Sequence, residues 1–183
     1  LSSSSAASDV YKRQLIIQKI FKNYTWRFST LEKEIYLTFD DGPTPEITNW
    51  TLDILKKHNA KATFFCIGKN IVNHPDIYKQ IKEANHTIGN HTHNHLNGWK
   101  HTTEAYLDNI DMCKNVISSE DEKSKLFRPP YGKIKRSQAK KLRDLGFKII
   151  LWDVLSADFD TSISNQKCLE TVSYTHLRAH ETD

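Results

Sequence analysis

Two adjacent carboxylates, Asp40 and Asp41, are the residues of the sequence best suited to carry out chemistry. They follow residues 35–39, whose alternating β-branched and aromatic side chains predict a β-strand, and Gly42-Pro43 ends that strand. Neighbouring side chains at the end of a strand point in different directions. We therefore expect the two aspartates to have different roles, one binding a metal ion and the other transferring a proton.

Two histidines, His91 and His95, have the spacing of a metal-binding pair. A separation of four residues puts both imidazoles on one side of a helical turn. Alone the pair also fits an exposed polar loop, but with one of the aspartates it makes a set of two histidines and one carboxylate. Such a set leaves coordination positions open for water and substrate, which favours a catalytic metal. His93 and His101 lie off this face, and we expect both at the surface.

The segment Arg128-Pro129-Pro130-Tyr131 carries the third group of candidate residues. The guanidinium fork of Arg128 could hold a carboxylate in one orientation and keep it ionised, although an ordinary salt bridge would use the same residue. Tyr131 follows two residues without N–H groups, so its own backbone N–H is a candidate donor to a developing oxyanion. A tyrosine that only covers the end of a barrel is the alternative.

Strands and helices must bring these groups together, and the sequence alternates between the two about five times. The predicted strands are residues 35–39, 62–67, 87–89, 126–128 and 147–154, and the predicted helices are residues 44–58, 76–84, 103–117 and 137–145. Such alternation predicts an α/β fold with parallel strands and helices outside. Polar clusters follow strands one, three, four and five, and in an α/β barrel those positions share one rim.

Two further expectations concern packing around this sheet. The first helix should bury one apolar stripe, formed by Ile47, Trp50, Ile54 and Leu55. The apolar segment at residues 15–30 should pack as a short helix or cover beside the first strand.

The composition is that of an ordinary globular protein with one domain. The 183 residues are 38% hydrophobic and 26% charged, and the net charge of +4 is scattered, which argues against nucleic-acid binding. The three cysteines are irregularly spaced and predict neither a disulfide framework nor a cysteine zinc site; Cys66 fits a buried position. No run approaches the roughly 20 apolar residues of a membrane span, and no signal peptide is visible.

The two ends of the chain differ in style from the sequence between them. Residues 1–14 and 171–183 show no clear amphipathic period, and both resemble translated adapter sequence. We expect them to be non-native tails around a domain at residues 15–170 that is incomplete at its C-terminal side. Native disordered tails are the alternative.

Four motifs resemble, in order, those of the polysaccharide deacetylases with a NodB homology domain, carbohydrate esterase family 4. They are Thr38-Phe39-Asp40-Asp41-Gly42, His91-Thr92-x-x-His95, Arg128-Pro129-Pro130-Tyr131 and Asp158-Phe159. The resemblance runs from about residue 35 to residue 170 and implies a distorted (β/α) barrel with fewer than eight strands. It also implies hydrolysis of N-acetyl groups on an N-acetylglucosamine-containing polysaccharide, such as peptidoglycan or a chitooligosaccharide, with release of acetate.

The resemblance implies a catalytic and metal-binding role for five residues. Asp40 would be the general base, and Arg128 would orient it. Asp41, His91 and His95 would bind a divalent metal ion, most often zinc.

The remaining motif residues would contact the substrate or tune the histidine that acts as the general acid. Tyr131 would supply its backbone N–H to the oxyanion, and Pro130 and Phe159 would line the substrate site beside it. Phe159 takes the place of the more usual tryptophan. Asp158 would tune a catalytic histidine.

That catalytic histidine has no match in the sequence. In the resembled family it belongs to a Leu-x-His motif on a later strand, whereas only His176 and His180 follow Phe159 here, both in the suspect tail. We therefore expect a metal half-site without its acid, and low activity or none from the 183-residue chain. A related amide or imide hydrolase acting on a small molecule and a non-catalytic carbohydrate- or metal-binding relic stay open as alternatives.

The resemblance also sets expectations about partners and place of action. The partner would be a polysaccharide or oligosaccharide, with no nucleic acid, and we expect a monomer. The family suggests the cell envelope or the extracellular space, although the native beginning of the protein is not visible.

Overall fold

The computed structural model describes residues 21–27, 34–117 and 125–178. The chain divides into two compact units, residues 1–151 and 152–183. All the metal-ligand and base candidates belong to the first unit. Residues 1–14, which we expect to be a non-native tail, and residues 15–20 lie outside the described residues.

The first unit is built on five parallel strands that neighbour each other in chain order. This observation confirms the predicted α/β fold with a parallel sheet. Among the described residues β1 and β5 do not pair with each other, so the five strands form an open sheet. The strands are β1 (Leu37–Asp40), β2 (Ala62–Cys66), β3 (Thr87–Asn90), β4 (Leu126–Phe127) and β5 (Lys148–Ile149).

Helices connect successive strands, as parallel pairing requires. A six-residue helix after β2 was not predicted from the sequence, and apart from the end of β5 the other helix and strand boundaries lie within three residues of the predictions. None of the described helices is both long and apolar enough to cross a membrane. The helices of the first unit are α1 (Ile47–Lys57), α2 (Gly68–Asn73), α3 (Pro75–Glu83), α4 (Thr103–Val116) and α5 (Arg136–Asp144), with 3₁₀ turns at Gly98–Lys100 and Pro130–Gly132.

Helix α1 does not bury the stripe predicted from its large apolar residues. Ile47 and Trp50 are exposed, and the buried positions are Thr48, Thr51, Leu52 and Leu55. The two threonines can be buried because their hydroxyls are satisfied locally. Thr51 donates to the Ile47 carbonyl at 2.8 Å, and Thr48 accepts from the Thr44 N–H at 2.9 Å. The predicted stripe was wrong in all but Leu55.

Strand β5 is shorter than the predicted residues 147–154. Its ladder with β4 ends at Ile149, and the next residue, Ile150, forms an isolated bridge with Thr25. The described part of the N-terminal segment, residues 21–27, therefore lies beside β5 and not beside β1 as predicted. The almost continuously apolar sequence of residues 147–154 predicts a strand buried on both faces. Ile149, Ile150 and Leu151 are all buried, whereas Lys148 is exposed.

The core of the first unit consists of two clusters, each formed where helices pack on a different pair of strands. One packs α1, α2 and α3 on β2 and β3, and the other packs α4 and α5 on β4 and β5. Cys66 is buried as predicted, and so is Cys113. Burial raises the pKa of the Cys113 thiol to about 12, so this cysteine stays protonated and unreactive at neutral pH.

The second unit contains one long helix, α6 (Asn165–Arg178). It runs through residue 170, where we place the end of the native sequence. That boundary stays a prediction.

Candidate metal centre and active site

The candidate residues of the first unit lie where parallel strands end. Asp40 is the last residue of β1 and Asp41 follows it; His91 follows β3, and Arg128 follows β4. Because the carboxyl ends of parallel strands meet at one edge, these residues share one rim of the sheet. Residues almost 90 positions apart in the sequence thereby come into contact, as the alternation of strands and helices predicts.

Asp41, His91 and His95 form a compact group of potential metal ligands. The Asp41 Oδ1 atom lies 3.3 Å from His91 Nε2 and 3.1 Å from His95 Nε2. One ligand atom from each residue lies within 4.8 Å of the other two. These three residues could therefore hold a metal ion, in the combination expected from the sequence.

The chemistry of the donors fits a divalent cation. Two ligand atoms about 2.1 Å from a tetrahedral zinc ion lie about 3.4 Å apart, close to the two Asp41–histidine distances. His91 Nδ1 lies 2.7 Å from the Arg128 carbonyl oxygen, which can only accept, so Nδ1 carries the proton. That hydrogen bond fixes the ring and directs Nε2 toward Asp41, as is typical of histidines that bind metals.

The charge of this group favours a cation as well. Hydrogen bonds from His91, and then from His95, hold the pKa of the Asp41 carboxyl well below its usual range. Asp41 is thus a carboxylate at any physiological pH, and its negative charge faces His91 Nε2 and His95 Nε2.

The segment that carries His91 and His95 is a loop and not the predicted helical turn. Thr92 and His95 have φ angles of 63° and 53°, in the left-handed region that β-branched and bulky residues rarely adopt. Hydrogen bonds compensate this strain: Asn90 Oδ1 accepts from the Thr92 N–H at 2.9 Å, and Thr92 Oγ1 accepts from the Leu96 N–H at 3.0 Å. The spacing of four residues brings the imidazoles together by a different backbone path.

Two helices hold this loop by hydrogen bonds. The first N–H groups of α2, at Gly68 and Lys69, donate to the carbonyls of Thr92 and His93 at 3.0 Å each. From α4, Asn109 Oδ1 accepts from the backbone N–H groups of His93 and Asn94, both at 2.9 Å. The loop therefore has little freedom to separate the two histidines.

Sequence reasoning missed Asn109 as a functional residue. Its signal was a polar residue on the buried side of a helix, between Tyr106, Ile110 and Cys113, where only an apolar side chain or a bonded polar one is stable. The side chain is only 6% exposed. It bonds the loop between the two histidines and thus acts on the metal ligands through the backbone.

We expect the substitution Asn109→Leu to weaken binding of a divalent metal by about 10- to 100-fold, the range seen when outer supports of metal ligands are lost. Asn109→Asp keeps an oxygen for both N–H groups and should stay within a few-fold of the parent. Asn115→Leu, on the exposed side of the same helix, is the matched control. Competition titration with a chromogenic chelator measures affinity, and equal affinities for the Asn109→Leu and Asn115→Leu proteins would refute this role.

Arg128 connects Asp40 to the body of the sheet. Its Nη1 donates to Asp40 Oδ1 at 2.8 Å and to Thr38 Oγ1 at 2.7 Å. Its other nitrogens donate to the carbonyls of Ile150 and Leu151 at 3.3 Å and 3.1 Å. Burial lowers the pKa of Arg128 and the charge of Asp40 opposes that shift, so the guanidinium stays charged.

In the turn after Arg128, Tyr131 is exposed and the two prolines are buried. Tyr131 is 59% exposed, has a φ angle of 59°, and its ring centroid lies 4.6 Å from that of His95. The N–H groups of Gly132 and Lys133 donate within the turn, to Pro129 and Pro130. Pro130 is fully buried, and its expected contact with substrate stays a prediction.

The other two histidines of this region are less exposed than predicted. His93 is half-buried, and its Nδ1 atom is buried without a hydrogen-bond partner among the described residues. It packs against α2 so closely that a Cβ atom on Gly68 would lie 2.5 Å from Nδ1. His101 is also half-buried, and its Nδ1 lies 2.9 Å from the Asn97 carbonyl. Neither joins the group around Asp41.

Asp158 and Phe159 belong to the second unit, and both are exposed. Asp158 Oδ1 accepts a hydrogen bond from the Ser156 hydroxyl at 2.8 Å. Their expected roles, tuning a histidine and contacting substrate, stay predictions.

The fold and this donor set agree with comparison against protein families. The family model for polysaccharide deacetylase matches residues 27–150, which is more than half of the chain. The chain belongs to the polysaccharide deacetylase family.

The curated proteins that the chain resembles include two deacetylases of peptidoglycan sugars. A peptidoglycan-N-acetylglucosamine deacetylase of Bacillus cereus is 39% identical over 141 residues, covering 75% of this chain and 51% of the relative. The peptidoglycan-N-acetylmuramic acid deacetylase PdaA of Bacillus subtilis is 33% identical over 151 residues, covering 81% of this chain and 56% of the relative. The chain thus spans about half the length of these two curated relatives.

Solved structures show the same fold. The crystal structure of the Bc1960 peptidoglycan N-acetylglucosamine deacetylase, in complex with 4-naphthalen-1-yl-N-oxidanyl-benzamide, superposes with a TM-score of 0.79 at 35% identity. The match covers 86% of this chain and 74% of that one.

Proposed function

We propose that the protein is a metal-dependent N-deacetylase of an N-acetylglucosamine-containing polysaccharide. One observation carries this proposal: the carboxylate–histidine group of Asp41, His91 and His95 lies at the same rim as Asp40, the carboxylate held by Arg128. A metal-binding group beside a separate, oriented carboxylate is the arrangement needed for hydrolysis by an activated water. The names of the relatives support the same reaction.

Zinc is the metal that we propose for Asp41, His91 and His95. Two imidazoles and one carboxylate are ligands that zinc prefers, and three protein ligands leave room for water and substrate. A zinc ion held there would lower the pKa of water and polarise the acetamide carbonyl.

Each neighbouring residue has a defined task in this reaction. Asp40 accepts the proton as water attacks the carbonyl carbon, and Arg128 keeps its carboxylate facing the rim. The Tyr131 backbone N–H, which comes after the two prolines, stabilises the charge on the carbonyl oxygen. The departing sugar amine must then be protonated, and we propose that a later part of the protein supplies that acid.

Peptidoglycan is the polymer that we propose as the natural substrate, and the cell envelope as the place of action. The support is the pair of relatives from Bacillus cereus and Bacillus subtilis, both named for deacetylation of peptidoglycan sugars.

Hydrolysis of two substrates with and without metal tests the proposal. An N-acetylglucosamine oligomer yields acetate only if the amine leaving group is protonated, whereas 4-nitrophenyl acetate releases a stable anion that needs no acid. We expect the zinc-loaded chain to hydrolyse the ester, a chelator to abolish this activity and added zinc to restore it. The amide should react more slowly by comparison with the ester. Ester hydrolysis that survives chelation, or binding of zinc without any hydrolysis, would contradict the proposal.

A further inference from the structure

We infer that Trp99 and Lys133 form a sugar-binding subsite beside the reaction centre, suited to a sugar ring that carries a carboxylate. The inference rests on the proposed function and adds to it the feature of the substrate that this surface selects. It concerns residues outside the four sequence motifs.

Four side chains form a continuous row that leads away from the metal ligands. The His95 and Tyr131 rings are 4.6 Å apart, the Lys133 ammonium lies 5.9 Å from the Tyr131 centroid, and it lies 5.5 Å from the Trp99 centroid. The row therefore begins at a proposed metal ligand and ends at an indole.

The aromatic side chains of this row are open to a ligand. Trp99 is 60% exposed and Tyr131 is 59% exposed, although burial of aromatic side chains of this size would stabilise the fold. One face of a sugar ring presents C–H groups, which pack well on the electron-rich face of an indole. An exposed tryptophan next to a deacetylation centre thus provides a surface for a neighbouring ring of the polymer.

Trp99 and Lys133 together form the surface that we call the sugar platform. Hydrogen bonds fix its conformation in the absence of a ligand. Trp99 Nε1 donates to the Ile134 carbonyl at 3.2 Å, and the Trp99 N–H donates to Asn97 Oδ1 at 3.0 Å. Gly98 donates to the Lys133 carbonyl at 3.1 Å, and a Cβ atom on Gly98 would lie 2.5 Å from that oxygen. Because the two turns are bonded to each other, the indole and the lysine keep their relative positions, which lowers the entropy cost of binding.

Lys133 gives the platform its selectivity. Its ammonium lies within the range of a cation–π contact to both rings, and no carboxylate pairs with it among the residues that the structure describes. A half-buried, unneutralised cation at the edge of a sugar platform attracts an anionic substituent. A carboxylate on the sugar, such as the lactyl group of a muramic acid residue, has the required charge, whereas chitin has none.

Binding of two tetrasaccharides tests this inference, with every variant made on an Asp40→Asn background so that the sugars stay intact. One probe is tetra-N-acetylchitotetraose, and the other alternates N-acetylglucosamine with N-acetylmuramic acid bearing free lactyl carboxylates. By calorimetry in the presence of zinc, we expect the second probe to bind about two- to fivefold tighter at low salt, the effect of one exposed ion pair. This preference should fade as salt is raised.

Three substitutions separate the contributions of the residues. Lys133→Met should equalise the two affinities without weakening chitotetraose binding, whereas Lys100→Met, an exposed neighbour of Trp99, should leave the preference intact. Trp99→Ala should weaken both probes by about tenfold, as loss of an aromatic anchor does.

The outcomes distinguish this inference from the proposed function. If both probes bind equally, or if the preference survives Lys133→Met, the subsite is wrong while the deacetylase proposal stands. Unchanged binding after Trp99→Ala refutes the platform. If neither probe binds, both the subsite and the deacetylase proposal are refuted.

Discussion

Replacing Asp40 with asparagine is expected to lower the rate of 4-nitrophenyl acetate hydrolysis by about 10²- to 10⁴-fold, the usual contribution of a general base. Asparagine keeps an oxygen that can accept from Arg128 Nη1, so the hydrogen bond at this position can persist. Asp40 is not among the grouped ligand atoms, and zinc affinity should therefore stay within a few-fold of the parent value. Steady-state kinetics and a zinc competition titration on the same preparation measure the two effects.

The neighbouring substitution should have the opposite signature. Asp41→Asn removes the carboxylate that faces both imidazoles, and we expect it to weaken zinc binding by more than about 100-fold. Asp53→Asn, on the exposed side of α1, is the matched control and should change neither quantity. If Asp40→Asn retained the parent rate at saturating zinc, Asp40 would not be the base.

The arrangement of the site was predictable because it depends on topology more than on detail. Alternating strands and helices impose parallel pairing, and parallel pairing places the residues after β1, β3 and β4 on one edge. Asp41, His91 and Arg128 could thus be assigned to one rim from their positions in the sequence alone. The buried residues after Lys148 were predictable for a related reason, since a continuous apolar run has few other places to go.

The local backbone was less predictable. Spacing alone put His91 and His95 on a helical turn, whereas the structure uses two left-handed residues to bring the rings together. The residues between these two positions are held by a distant side chain, since Asn109 Oδ1 accepts from the His93 and Asn94 N–H groups. A contact between residues 16 positions apart leaves no periodic trace in the sequence.

The face of α1 was mispredicted for an energetic reason. Hydrophobicity favours burial of Ile47 and Trp50, but burial also depends on whether polar alternatives can be satisfied. Thr48 and Thr51 are satisfied by backbone partners one turn away, so the helix can turn them inward. The apolar residues then stay at the surface, which is a common fate of single large side chains.

The second prediction with a large effect concerns Arg128, which joins the candidate base to the core. Arg128→Met removes four hydrogen bonds and leaves the Asp40 carboxylate and the carbonyls of Ile150 and Leu151 without their donor. Breaking a buried charged pair from one side costs about 3–5 kcal/mol of unfolding free energy. Urea unfolding followed by tryptophan fluorescence measures this loss.

Two control substitutions separate the contribution of the guanidinium hydrogen bonds of Arg128 to stability from the contribution of its positive charge. Arg128→Lys keeps the positive charge, but its three N–H donors sit on one nitrogen and cannot reach the four acceptors that Nε, Nη1 and Nη2 of the arginine contact, so we expect an intermediate loss. Lys140→Met breaks the exposed pair with Asp144, whose N–O distance is also 2.8 Å, and should cost about 0–1 kcal/mol. Equal losses for the Arg128→Met and Lys140→Met proteins would show that the burial of Arg128 has no energetic consequence.

A double substitution identifies the source of the loss. If the stranded carboxylate of Asp40 is responsible, adding Asp40→Asn to Arg128→Met should recover part of the stability, because a neutral amide tolerates a missing cation. If the unsatisfied carbonyls of Ile150 and Leu151 dominate, the double variant should be no more stable than Arg128→Met alone. The guanidinium also lies 4.3 Å from the Phe65 ring centroid, a contact that methionine can replace with its own side chain. The loss therefore reports on the hydrogen bonds that orient the base and not on packing over Phe65.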